Sequence, residues 1–193
     1  MADQGSEGLL SPFLRKQRIT AVKPYLTGRV LDVGCGAGVL AEWVDPQDYL
    51  GVDIDGVSLE KARNSYPSHQ FSTTLPAAGE KFDTIIALAV IEHVKSPVDF
   101  LVMLSAYIEE SPDSKIVCTT PHLLMGWAHT AGAKIGLFSR HANEEHEVLF
   151  DRNKLDTVAE SAGLKLVLYK RFLFGVNQLA IFRCSRAPFI KVA

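Results

Sequence analysis

Five residues, Gly34-Cys35-Gly36-Ala37-Gly38, constrain what this chain can fold into more than any other segment. They follow a short β-rich run, residues 29–33, and precede helix-forming residues 39–44. A strand that breaks into glycines and then a helix opens a βα unit, and an open parallel sheet binds its ligands at such turns. Glycine lets the backbone approach a ligand closely, and the first turn of the next helix offers N–H groups without intrahelical partners. Asp53 ends the next β-rich run, residues 49–53, nineteen positions after Gly34. That separation sets a carboxylate beside a ribose held over the loop. The plainer alternative makes the glycines a tight turn and Asp53 the cap of the following helix. The spacing is GxGxG, without the extra residue by which GxGxxG accommodates a pyrophosphate, and no Walker lysine follows. A nucleotide-cofactor oxidoreductase is therefore the rival enzyme class, disfavoured by spacing.

The rest of the chain continues the alternation. Ser11-Pro12 starts a helix running towards Leu26 and interrupted by Pro24. Leu59, Ala62 and Tyr66 line one face of a helix that Pro67 ends, and residues 69–71 form a short third strand. Residues 82–88 are almost continuously apolar, as in a strand covered on both faces. Ser96-Pro97-Val98-Asp99 supplies an N-cap, a first-turn proline and an early acid. Residues 115–119 are a fifth strand, and Asp151 caps a late helix stopped by Gly163. Two β-rich runs, 164–174 and 178–184, then flank Gly175-Val176-Asn177 as a final hairpin. The expected fold is α/β: a doubly wound, mostly parallel sheet, helices on both faces, with an antiparallel C-terminal hairpin.

Composition narrows the class. The chain has 193 residues, 47% of them hydrophobic, with a formal charge of −2 from 20 basic and 22 acidic side chains. One domain spanning residues 1–193 is expected, with residues 1–10 a flexible tail. Without a basic excess, no nucleic-acid partner is expected. Cys35, Cys118 and Cys184 make no CxxC pair, which disfavours a zinc site or a disulfide framework. The polar residues 1–8 differ from a secretory leader, and Pro121, His122, Gly126 and His129 break the one long uncharged stretch. The expectation is a cytoplasmic protein without a membrane partner.

Val30-Leu31-Asp32-Val33-Gly34-Cys35-Gly36-Ala37-Gly38 resembles the first motif of class I S-adenosylmethionine-dependent methyltransferases of the small-molecule type. Gly51-Val52-Asp53-Ile54-Asp55 resembles their second. Residues 82–88 with Val90-Ile91-Glu92-His93-Val94 are similar to their fourth strand and the turn after it. The resemblance implies a seven-stranded sheet whose last strand inserts antiparallel beside the fifth, and S-adenosylmethionine as cofactor. It implies that Gly34, Cys35, Gly36 and Gly38 pack on the methionine and ribose parts, with Asp32 orienting the loop. It implies that Asp53 holds the ribose hydroxyls, Ile54 packs on the adenine, and Leu88 and Ala89 line the cofactor near its sulfur. The family often places an acid after the third strand. This chain has Phe71-Ser72-Thr73-Thr74-Leu75 there, so a backbone carbonyl or Thr73 takes over the adenine amino group.

Methyl transfer from a sulfonium asks mainly for an acceptor held in line, with a base where the acceptor is a hydroxyl. Residues 121–150 form an insertion expected to close over the acceptor as a lid. It offers Met125, Trp127, Ile135, Leu137 and Phe138 beside His129, Arg140, His141, Glu144, Glu145, His146 and Glu147. A solvated charged loop would show the same composition. His146, just before Val148-Leu149-Phe150, is the first choice of base and His141 the second. Their five-residue separation is not the i, i+4 pairing of a helical metal site, so no metal is expected. His93 is expected to be structural and His122 a hydrogen-bonded loop histidine. Arg15 and Arg18 either reach the cofactor carboxylate or face solvent. The expected partner is a small molecule bearing a hydroxyl: quinone-like, phenolic or sugar-containing. A non-catalytic methyltransferase-like binding domain is the alternative, favoured only if the cofactor cleft is blocked.

Overall fold

The computed structural model of the chain describes residues 11–122 and 149–185. Within them lie β1 (Val30–Val33), β2 (Tyr49–Val52), β3 (Gln70–Ser72), β4 (Thr84–Leu88), β5 (Lys115–Pro121), β6 (Leu164–Phe172) and β7 (Asn177–Cys184). They form one sheet in the order β3-β2-β1-β4-β5-β7-β6. The first five pair in parallel, and β7 runs antiparallel between β5 and β6. Burial explains why the last strand takes the inner place. β7 is buried from Asn177 through Phe182, whereas β6 carries exposed Lys165, Lys170 and Arg171. An edge strand studded with cations resists further pairing.

Four α-helices are described: α1 (Ser11–Val22), α2 (Gly56–Ser65), α3 (Pro97–Ser105) and α4 (Arg152–Ser161). On one face, α3 and α4 press Leu101, Leu104, Leu155 and Ala159 onto Leu31, Ile85, Ile116 and Phe182. On the other, Ile19 and Val22 of α1 join Val30, Ile86, Val117 and Ile181. Side chains from successive residues of the central strands enter opposite clusters, so those strands are apolar throughout. Ser96 accepts from the Asp99 N–H at 3.3 Å, and Asp151 from the Lys154 N–H at 2.8 Å. Gly163 follows α4 with φ +72°.

Beyond shifts of one or two residues at strand ends, the helix after the glycine loop differs from the sequence reading. The helix expected over residues 39–44 is a short 3-10 turn, Val39–Trp43. Pro46 accounts for this, because it holds Asp45 extended (φ −60°, ψ 139°) and leaves no room for a further turn. The third strand starts at Gln70, one residue late. His69 instead engages the Val44 carbonyl through Nε2 at 3.0 Å, with its ring against the edges of Tyr49 and Tyr66. Among the described residues, no helix is long and apolar enough to cross a membrane.

Candidate functional site

The C-terminal edge of the sheet gathers the glycine loop after β1, Asp53 after β2, Leu88 and Ala89 at the end of β4, and the end of β5. The loop is tied to β2: the N–H groups of Gly34 and Cys35 both donate to the Val52 carbonyl, at 2.8 and 3.1 Å. Two of its glycines serve opposite ends. At Gly34 (φ +74°) a Cβ would stand 2.5 Å from Val90 Cγ2, so the loop lies directly on the turn after β4. At Gly36 (φ +53°) nothing lies within 4 Å of the Cβ position. Open space above a left-handed backbone is what a ligand lying along the loop requires.

Asp53 borders that space. Its Oδ2 accepts from the Gly36 N–H at 2.7 Å and its Oδ1 from the Asp55 N–H at 2.9 Å. The cap of α2 is Asp55, which accepts from the Val57 N–H at 3.0 Å and the Ser58 hydroxyl at 2.7 Å. Those bonds hold the Asp55 carboxyl below its ordinary range. The capping role considered for Asp53 thus belongs to its neighbour. An ionised carboxylate offers about four acceptor sites, so two remain on Asp53 for hydroxyl donors. Ile54, 95% exposed, stands beside it.

Asp32 sits behind the loop, buried, with the Tyr49 hydroxyl donating to its Oδ2 at 2.8 Å. Burial raises its pKa to about 7; the Tyr49 hydrogen bond opposes the rise and the Asp53 charge adds to it. Cys35 is turned inward, since a Cβ on Gly51 would meet its Sγ at 2.9 Å. Burial pushes its thiol up, with Asp32 and Asp53 adding to the effect. Its backbone, not its sulfur, belongs to the loop.

Leu88 is half-buried, and Ala89 takes a left-handed φ of +56° while its N–H donates to the Thr119 carbonyl at 2.8 Å. A non-glycine residue held there costs about 1 kcal/mol or more, and such strain concentrates where a site is shaped. Past β3, the Ser72 hydroxyl donates to the Thr74 carbonyl at 2.8 Å, leaving Thr73 exposed.

Sequence reasoning overlooked Glu92. It is buried while His93 beside it is exposed. Burial raises the Glu92 pKa, against smaller opposing effects of its backbone, His93, Thr120 and Arg18. The signal available was its place next to His93 in the motif after β4. Arg18 of α1 donates through Nε to Asn177 Oδ1 at 3.1 Å. Arg15 is exposed on the same helix. The His122 N–H donates to the Val176 carbonyl at 2.9 Å, and His122 bridges to Phe150. Burial and then Arg171 lower the His122 pKa. His141 and His146, with the rest of residues 123–148, lie outside the described residues. So does the tail, 1–10. Among the described residues no three metal-binding side chains cluster.

The sequence matches the family described as "Methyltransferase domain" over residues 10–169. It is 32% identical over 117 residues to a ubiquinone biosynthesis O-methyltransferase of Roseobacter denitrificans, covering 53% of this chain. The match spans 44% of that relative, less than half its length. The fold is shared with magnesium protoporphyrin IX methyltransferase from Synechocystis, crystallised with bound SAH. The TM-score is 0.67 at 17% identity, covering 95% of this chain and 90% of that one. It is shared too with an S-adenosylmethionine-dependent methyltransferase from Clostridium acetobutylicum, at TM-score 0.66 and 14% identity, covering 90% and 92%. With the family match extending over most of its length, from α1 into β6, the chain belongs to the methyltransferase-domain family.

Proposed function

We propose that this chain is an S-adenosylmethionine-dependent methyltransferase acting on a hydroxyl oxygen of a small molecule. The observation that carries the reading is the open left-handed Gly36, its N–H held by the Asp53 carboxylate at 2.7 Å. A nucleoside fits this cradle: backbone exposed for close approach, two acceptor sites free on Asp53, and an exposed isoleucine for an adenine face. Gly34, Cys35 and Gly38 complete the loop through their backbone, Leu88 and Ala89 border it, and Asp32 stiffens it from behind. A backbone carbonyl or the exposed Thr73 replaces an acid near the adenine amino group.

When bound, the cofactor supplies an electrophilic methyl group on sulfur. The chain's own residues orient the acceptor and exclude water. The insertion 121–150 is proposed as the lid, with an imidazole nitrogen of His146, or secondarily His141, taking the hydroxyl proton. The O-methyltransferase named for ubiquinone biosynthesis supports an oxygen acceptor of quinone-like or phenolic type. Residues 1–193 as one domain, working in the cytoplasm without nucleic acid or metal, complete the proposal.

Incubation with S-adenosylmethionine labelled in its methyl group, together with a fractionated metabolite extract, tests this reading. Label in a small hydroxyl-bearing compound, reduced at least tenfold in His146→Ala, is the expected outcome. Label confined to protein or RNA contradicts it.

A further inference from the structure

Glycine weakens the interior of a strand, and its presence there often marks a close approach by another group. Gly51 is such a residue: buried inside β2, with Asp32 opposite on β1 and Phe71 opposite on β3. Residues paired across strands point to one sheet face, so the missing side chain leaves a notch between Asp32 and Phe71. Two groups enter it. A Cβ on Gly51 would stand 2.7 Å from Phe71 Cδ1 and 2.9 Å from Cys35 Sγ. The same ring reaches the far end of the glycine loop, where a Cβ on Gly38 would stand 2.7 Å from Phe71 Cε1. It also packs against Tyr49, with centroids 5.7 Å apart, and the Tyr49 hydroxyl donates to Asp32. The next residue holds the other half of the cradle: the Ser72 carbonyl accepts from the Asp53 N–H at 3.2 Å. Arg63 of α2 anchors this strand in turn, donating to the Phe71 carbonyl at 2.9 Å.

We propose that Phe71 is a positioning residue of the cofactor site, a wedge that sets the glycine loop by acting through Cys35 and Gly38. The inference rests on the cofactor reading for what the loop binds, and deepens it by naming what fixes the loop in place. Gly34, Gly36 and Gly38 all have left-handed φ, a freedom that leaves the loop's path undecided by its own backbone. Bonds to the Val52 carbonyl hold its start. One rigid ring then braces Cys35 and Gly38 together, and Gly36 lies between them with its N–H on Asp53 Oδ2 at 2.7 Å. A binding constellation works only when such supports hold it to within about 0.5 Å. Both glycine contacts are made by ring atoms beyond Cγ. A valine at position 71 therefore suits the strand but reaches neither glycine.

Calorimetry of S-adenosylhomocysteine on Phe71→Val, Gly51→Ala and the double variant tests the wedge. Each single variant should weaken binding about tenfold, the first by freeing the loop, the second by pushing Cys35 and the ring aside. In the double variant the added methyl group takes space the ring has left, so the two losses should not multiply. Its affinity should stay within about threefold of the single variants. Losses that multiply to about a hundredfold, or wild-type affinity in Phe71→Val, would overturn the inference. NMR relaxation of the free protein separates positioning from a general loss of stability, because fast backbone motion is read within the folded state. In either single variant the order parameters at Gly36 and Gly38 should fall from about 0.85 towards 0.6, while β1 stays rigid. A loop as rigid as in the wild type would overturn the inference. If the wild type binds no S-adenosylhomocysteine, the functional proposal falls separately, and relaxation of the free protein still decides the wedge.

Discussion

At the scale of single residues, the loop separates packing from binding. Gly34→Ala adds a methyl group against Val90 and forces a left-handed alanine, so it should destabilise folding by about 2–4 kcal/mol in urea melts. Gly36→Ala meets no atom and should cost only about 1 kcal/mol, while weakening S-adenosylhomocysteine by tenfold or more. Equal destabilisation by the two would contradict this division. Asp32 carries a pH signature. Its carboxyl titrates at about 7 in the folded chain and near 3.8 when unfolded. Below pH 3.8 both states hold the proton; as pH rises towards 7 only the unfolded state releases it, so stability falls across that window. Asp32→Asn keeps an acceptor for Tyr49 and removes the titration. Its stability should match the wild type near pH 4 and exceed it at pH 8, by on the order of 2–4 kcal/mol, read from melts across pH. Parallel pH curves would refute the assignment.

The elements were legible where local chemistry decides them. Ser96, Asp151 and Gly163 mark helix ends by hydrogen bonds or backbone freedom available only to such residues, and they end helices here. Helix 39–44 was misjudged because a proline seven positions after its start acts on the chain's exit rather than on propensity. Thr119, Thr120 and Asn177 were not legible as buried polar residues. Threonine is ordinary in strands, and only the insertion of β7 beside β5 buries these side chains. Gln178 shows the same dependence on tertiary context. Its Nε2 donates to the carbonyls of Pro121 and Phe150 at 3.0 and 2.9 Å, and its Oε1 accepts from the Tyr169 hydroxyl at 2.9 Å. It therefore pins both ends of the insertion to the sheet. Gln178→Leu strands two carbonyls and should cost about 2–3 kcal/mol in urea melts, and a loss below about 0.5 kcal/mol would deny it that role.

For the molecule as a whole, the strand order places the glycine loop, Asp53, Leu88 and Ala89 at one edge, while the opposite edge is sealed by pairs such as Lys115 with Thr27 at 2.7 Å. The proposed cofactor site is legible in sequence because it consists of backbone and one carboxylate at fixed spacing. The lid proposal belongs at this scale. Hydrogen exchange over residues 121–150 should slow on adding S-adenosylhomocysteine, and unchanged exchange would argue against closure. The most direct measurement of the central claim is calorimetry of S-adenosylhomocysteine on the wild type and on Asp53→Ala. The account predicts micromolar binding to the wild type and a loss of at least tenfold in the variant, as follows from removing a charged partner of two hydroxyls. Equal affinity in both proteins, or tighter binding of a nicotinamide dinucleotide, would contradict it.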